Sequence, residues 1–306
     1  MITNIDELDH LTEMYGDGFY VISEKRIKDI YSKFEHDFSE KYSNCAIAYS
    51  FKTCFEKGLL TQLLKLGARA EVTSEYEYSI AKTIGYEDDK IVYNGPYKKM
   101  DMALEIAKNG GIVNIDSFKE AMQFCEVYDG EKGNSVSVGI RCNFSVNGRK
   151  SRFGVDILSN DMDEIIKELT GKNIEIVGFM CHIKTKTLDD WQKKAELMID
   201  FVKEAIEKYQ LKNVRYVDFG GGYQFKLSLF KEYANIISAQ MKRLNNHNIT
   251  MILESGAALA EGTMDYYAKV VNINIAQCIC ELLELEETRY DIFIEREKYE
   301  KLGVYQ

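Results

Sequence analysis

Short β-branched or aromatic runs alternate along this chain with longer stretches of helical period, and the alternation repeats eight times. The strand-like runs are AIAYSF (46–51), ARAEVT (68–73), KIVYN (90–94), GIVNI (111–115), SVSVGIRC (135–142), IEIVGFMCH (174–182), VRYVDF (214–219) and ITMILE (249–254). Between them lie segments such as SEYEYSIAKTI, SFKEAMQFCEV and LDDWQKKAELMIDFVKEAIEKY, with apolar residues at i, i+3 and i+4. Eight alternations without antiparallel hairpin signals predict an α/β fold, a (β/α)8 barrel of TIM type. A doubly wound open sheet is the competing architecture, but no G-x-G-x-x-G follows the first strand.

Composition narrows the function classes. At 306 residues, 45% hydrophobic and 29% charged, the chain has the make-up of a soluble globular protein with one large core. It has no stretch of 18 apolar residues, and its N-terminus lacks a signal-peptide pattern, so a cytoplasmic location is expected. A formal net charge of −10 argues against nucleic acid or an anionic membrane as the main partner. Of seven cysteines, Cys45, Cys54, Cys142 and Cys181 lie in or beside apolar runs, as reduced buried thiols do. Cys278 and Cys280 form C-x-C without a second ligand pair, so no zinc site is expected.

Catalytic groups of such barrels sit at the C-terminal ends of the strands. Those positions hold Lys52 after the first strand, Glu71 and Ser74 at the second, Asn94 at the third and Arg141 at the fifth. His182 ends the sixth, Gly220, Gly221 and Gly222 follow the seventh, and Glu254 ends the eighth. Three successive glycines let backbone N–H groups close on an anion, although a tight turn would also use them. Lys52 reads either as a rim lysine with its ammonium in water or as an amine that captures a carbonyl. An amine facing a phosphate cradle across one mouth suggests pyridoxal phosphate, whose aldehyde forms a Schiff base with lysine. Glu254 would hold the ring nitrogen protonated, which favours loss of CO2 from an amino acid. His182 would stack on the ring, or else be a satisfied core histidine.

The motifs resemble those of the fold-type III pyridoxal-phosphate decarboxylases, the group of diaminopimelate, ornithine and arginine decarboxylases. GFYVISEKRIKDIYSKF is similar to the entry segment, AYSFKT to Y-A-V-K-A-N, and GARAEVTSEYEY to G-A-D-V-V-S-x-G-E with Glu71 for aspartate. VYNGPYK, IVNIDSFKE, SRFGVDI and VDFGGGY resemble further motifs of the group in the same order, from about Gly18 to about Asn274. The resemblance implies Lys52 as the Schiff-base lysine, His182 as the stacking residue, Gly220–Gly222 as the phosphate cradle and Glu254 as the ring-nitrogen partner. Arg141 would orient Glu254 or His182. Glu71, Ser74, Thr185 and Gly256 join the expected cofactor contacts.

Two motifs depart from the pattern. H-x-G-S reads HIKT, with Thr185 for the serine, and E-P-G-R reads ESGA, with Ala257 for the arginine. Lys184 or Lys186 would restore the lost charge. The expected organisation is a leading segment (1–25), a pyridoxal-binding barrel (26–262) and a remnant strand with a charged helical tail (263–306), a truncated C-terminal β domain. A homodimer, or a partner chain supplying the rest of that domain, is then expected. Three functions remain open: decarboxylation of diaminopimelate or another diamino acid, cofactor binding without turnover, and a barrel that serves as an interaction module.

Overall fold

The structure is a computed structural model that describes residues 4–128, 130 and 136–268. Eleven strands form among them: β1 (Gly18–Ile22), β2 (Cys45–Ser50), β3 (Arg69–Val72), β4 (Ile91–Tyr93), β5 (Ile112–Ile115) and β6 (Ser137–Asn143). The others are β7 (Val155–Asp156), β8 (Glu175–Cys181), β9 (Tyr216–Asp218), β10 (Thr250–Ser255) and β11 (Met264–Ala268). Eight of these pair in parallel in the order β2, β3, β4, β5, β6, β8, β9, β10, and β10 returns to β2. The sheet therefore closes into the expected (β/α)8 barrel, and each of the eight expected runs supplies one stave. The two-residue β7, which lies beside Cys142 and Asn143 at the end of β6, was not anticipated.

Sequence chemistry sets where the helices begin. Ser74 and Ser117 each accept a hydrogen bond from the backbone three residues on, at Glu77 and Glu120. Both glutamates reach back to backbone N–H groups at Thr73 and Asp116. These two S-x-x-E boxes fix the start of helices Glu75–Ile84 and Phe118–Val127 directly after their strands. Thr187 and Asp190 form a third box at the head of helix Leu188–Lys208. Helices Glu24–Ser39, Leu188–Lys208 and Leu227–Met241 meet through an aromatic cluster. Within it Tyr223 stacks on Trp191 at 4.5 Å and stands edge-on to Phe34 at 5.3 Å.

The barrel interior mixes small apolar side chains with larger polar ones. Ala48, Val92, Val177 and Ile252 pack around Tyr216. Gly139 on β6 and Gly178 on β8 make room for that ring, because a Cβ at Gly178 would lie 2.3 Å from it and one at Gly139 would lie 1.9 Å from its hydroxyl.

The described residues divide into two compact units, one of them Ser23–Thr263. In the other, helix Ile5–Tyr15 precedes β1, and β1 pairs antiparallel with β11 from Gly18 opposite Ala268 to Ile22 opposite Met264. The run DYYAK, expected to open a further strand, is strand as far as Ala268. The expected helical tail, with Cys278, Cys280 and its leucines, lies outside the described residues. Among the described residues no helix is long and apolar enough to cross a membrane.

Candidate active site

At the end of β2 the chain turns through a short 3-10 turn, Phe51–Thr53, which keeps Phe51 buried and turns Lys52 to the barrel mouth. The Lys52 side chain is 42% exposed, and its Nζ donates to Glu71 Oε2 at 2.5 Å. Partial desolvation works against its charge, but Glu71 and Glu254 outweigh it and raise the lysine above its ordinary pKa. Glu71, at the third position of β3, is 1% exposed. Burial and the Glu254 charge raise its pKa, against the pull of Lys52. Lys52 therefore rests as an ammonium beside a carboxylate able to take its proton.

Glu254 on β10 is fully buried. Its Oε1 accepts from the Asn94 amide, which also donates to Glu71 Oε1 at 3.2 Å. Its Oε2 lies 3.8 Å from His182 Nδ1. Asp218 on β9 is buried as deeply; its Oδ1 accepts from Gly220 N–H at 2.8 Å and its Oδ2 has no donor. Burial and Glu254 hold Asp218 well above the carboxylate range, so it is a neutral acid within hydrogen-bonding reach of Glu254. Burial opposes charge on Glu254, yet His182, Lys52 and the Asp218 proton hold its pKa below the usual value. Two carboxyl groups packed this closely share one proton, and here it resides on Asp218.

Beyond β9 the glycine loop closes against the ends of β8 and β10. Gly220 and Gly222 have φ of 64° and 105°, which only glycine adopts readily. A Cβ at Gly221 would lie 2.6 Å from the Glu254 carbonyl oxygen and 3.2 Å from His182 Cε1, so the loop has no room for a side chain. Gly221 N–H donates to His182 Nδ1 at 3.3 Å, and Glu254 N–H to Gly220 O at 3.1 Å. Beside Gly222 the hydroxyl of Thr185 is buried without a partner. Gly256 is equally confined, since its Cβ would meet Thr53 Oγ1 at 2.1 Å, one residue from Lys52.

Lys52, Glu71, His182, Gly220–Gly222 and Glu254 are thus brought together, with Thr185 and Gly256 at the edges. Ser74 and Arg141 are engaged elsewhere. The Ser74 hydroxyl caps its helix. Arg141 was expected to orient Glu254 or His182. Instead it donates to Asp116 at 3.0 Å and stacks over Phe153 at 5.2 Å, because Asp116 ends the neighbouring strand and offers a buried anion. Lys184 and Lys186 are exposed.

The sequence reading missed Asp218, Asn114 and Lys194. The last is fully buried in helix Leu188–Lys208, donates to the Phe219 carbonyl at 2.9 Å and lies 3.4 Å over the Trp191 ring. Burial lowers its pKa to about 8. An ammonium here places positive charge directly beneath the glycine loop. A lysine facing inward from an amphipathic helix, just downstream of the HIKT segment, was the available signal.

A parallel barrel with a lysine at one strand end, a buried carboxylate across from it and a glycine loop between them defines a class of cofactor-binding barrel. The profile of pyridoxal-dependent decarboxylases, pyridoxal binding domain, matches residues 27–261, and the chain belongs to that family. Diaminopimelate decarboxylase of Methanocaldococcus jannaschii is 29% identical over 81% of this chain and 62% of its own length. The enzyme of that name from Aquifex aeolicus is 29% identical over 82% of this chain and 62% of its own. The chain thus spans less than two thirds of these relatives. The solved diaminopimelate decarboxylase of M. jannaschii bound to L-lysine superposes with a TM-score of 0.72 at 27% identity, over 83% of this chain and 64% of that one.

The cofactor of this family is pyridoxal phosphate, and the residues present fit it. The buried hydroxyl of Thr185 lacks a partner, as a group awaiting a ligand does, and the loop Gly220–Gly222 leaves backbone where side chains would intrude.

Proposed function

We propose that this chain is the cofactor-binding part of a pyridoxal-phosphate-dependent decarboxylase of diaminopimelate or a similar diamino acid, working as a homodimer or with a further chain or domain. The observation that carries the reading is the ion pair of Lys52 with buried Glu71, opposite a second buried carboxylate, Glu254. The similarity to diaminopimelate decarboxylases supports the substrate class.

When bound, the cofactor supplies a carbonyl to capture an amine and a protonated ring to accept the electrons left by departing CO2. The chain's own residues prepare each event. Lys52 would hold the cofactor through Nζ, an amine that is nucleophilic only once it has shed a proton. Glu71 Oε2, 2.5 Å away and raised in pKa by burial, takes it. Glu254 would meet the ring nitrogen as an anion and favour a proton there, while Asp218 keeps its own. The His182 imidazole, held by the Gly221 N–H, would cover one face of the ring. The N–H group of Gly222, the Thr185 hydroxyl and the Lys194 charge behind the loop would receive the phosphate. In this reading Lys194 compensates for the alanine at position 257, from behind the loop rather than from the rim.

The test begins with pyridoxal phosphate added to purified protein, a visible spectrum, borohydride reduction and peptide mapping. A visible band with the reduced adduct on Lys52 is expected, followed by CO2 release from diaminopimelate. A label spread over surface lysines overturns the reading.

A further inference from the structure

The interior of this barrel carries a file of hydrogen bonds that the chemistry above does not use. Tyr216 Oη donates to Asn114 Oδ1 at 2.7 Å, and Asn114 Nδ2 donates to Asn94 Oδ1 at 2.8 Å. Asn94 Nδ2 gives its two hydrogens to Glu71 Oε1 and Glu254 Oε1. Glu71 then accepts from Lys52 through its other oxygen. All three residues of the file are buried, and Tyr216 at its foot borders a cavity of about 190 Å³ near the starts of the strands. The file thus spans the barrel from its floor to its mouth.

The direction of the file is fixed by its upper end. Two carboxylate oxygens face Asn94, and only an NH2 group satisfies both; the opposite orientation would set three acceptors against one another. The carbonyl of Asn94 must then point down and call for a donor, which Asn114 supplies. The same reasoning turns the Asn114 carbonyl to Tyr216 and makes the phenol a donor. Each bond polarises the next in the same sense. The fold also gives up packing for the file. Barrels of this type fill these layers with aliphatic side chains, whereas here Gly139 and Gly178 are cut back to admit Tyr216.

We propose that Tyr216, Asn114 and Asn94 form a positioning relay that lets Glu71 and Glu254 remain a pair of adjacent anions, and through them fixes the charge and direction of Lys52. Without the bridging amide the two carboxylates repel, one takes up a proton, and Lys52 faces one anion fewer. The groups that face Lys52 are Glu71, Glu254 and Glu77; those that face Glu254 are His182, Lys52, Asp218, Glu71 and Lys194. Of all these, only Glu71 and Glu254 touch the relay. The inference rests on the candidate site but not on which carbonyl Lys52 captures.

The test is competitive acetylation of Lys52 against pH, read by peptide mass mapping on cofactor-free protein. Asn94→Leu is expected to lower the labelling midpoint of Lys52 by on the order of one pH unit. Tyr216→Phe, which keeps the ring and removes only the terminal donor, should lower it in the same direction by less. A merely structural file would lower the melting temperature and leave the Lys52 midpoint in place. Should Asn94→Leu fail to fold, Tyr216→Phe carries the test, and a wild-type Lys52 profile in that variant overturns the proposal. Titration of the unmodified protein with pyridoxal phosphate runs in parallel. Absence of binding there, with a shifted Lys52 profile in Tyr216→Phe, would sink the cofactor reading and leave the relay standing.

Discussion

Exchanging Lys194 for methionine removes a charge that the fold keeps dry. The side chain is fully buried, and its pKa falls from 10.5 to about 8 because burial disfavours the ammonium. For a base whose folded pKa is depressed, the unfolded chain binds the proton more tightly. Between about pH 8 and about pH 10.5 it holds a proton that the native protein has released, so stability rises with pH across that window. The interval of 10.5 − 8, at about 1.4 kcal/mol for each pH unit, puts the ionisation penalty near neutral pH at about 3 kcal/mol. The hydrogen bond to Phe219 and the contact with Trp191 offset part of it. Urea unfolding of wild type and Lys194→Met at about pH 7 and about pH 10.5 reads the penalty as a difference of differences, since every other titrating group is common to both. The wild type should gain about 3 kcal/mol on the variant between the two conditions. A difference that stays flat across the window refutes the placement of Lys194 as a buried ammonium. Cofactor affinity should move the opposite way, with Lys194→Met binding pyridoxal phosphate more weakly near neutral pH although it is relieved of the penalty. Such a trade of stability for a working site is common.

Gly221→Ala forces a methyl to 2.6 Å from the Glu254 carbonyl oxygen, so the loop must shift; pyridoxal-phosphate affinity, measured by spectral titration, should fall at least tenfold, about 1.4 kcal/mol. Lys52→Ala removes the borohydride label from the peptide that holds it and leaves Glu71 buried without its ammonium. The already raised pKa of that glutamate goes higher. An acid raised in the folded state is favoured when protonated, so the melting temperature of the variant should rise relative to wild type as pH falls from about 8 to about 5. Glu254→Gln leaves Asp218 without its anionic neighbour, so Asp218 should ionise more readily; the carboxyl stretch of its neutral form, read by infrared difference spectroscopy, should weaken at neutral pH.

The barrel was legible because its signal is collective. Eight apolar runs, each followed by a helix of the right period, leave one closed sheet as the economical solution, and a short error in any run does not change it. The S-x-x-E pairs at Ser74 and Ser117 mark helix starts but went unread, and Ser74 was counted among the cofactor contacts instead. Sequence gives a hydroxyl at a strand end no sign of whether it caps a helix or meets a ligand. Arg141 was misplaced for a related reason. Its nearest anion, Asp116, comes from a strand that is adjacent only once the barrel has closed.

The unread part of the site lies inside the strands rather than at their ends. Asn114 in GIVNI and Tyr216 in VRYVDF look like ordinary members of half-buried strands, and Asn94 was placed at the mouth without a partner or a role. Their meaning appears when the pleat is followed across the barrel. The buried positions of β3, β5, β9 and β10, with Asn94 directly after β4, hold Glu71, Asn114, Tyr216, Asp218 and Glu254, where aliphatic layers are usual. One buried polar group in a strand is costly and calls for a partner. Six in one interior satisfy one another: Asn94 alone joins three of them, and Asp218 and Glu254 share a proton between them. A tally of polar residues at inward strand positions, made before any motif is sought, would have pointed to this face of the molecule and to the residues that hold Lys52 in place.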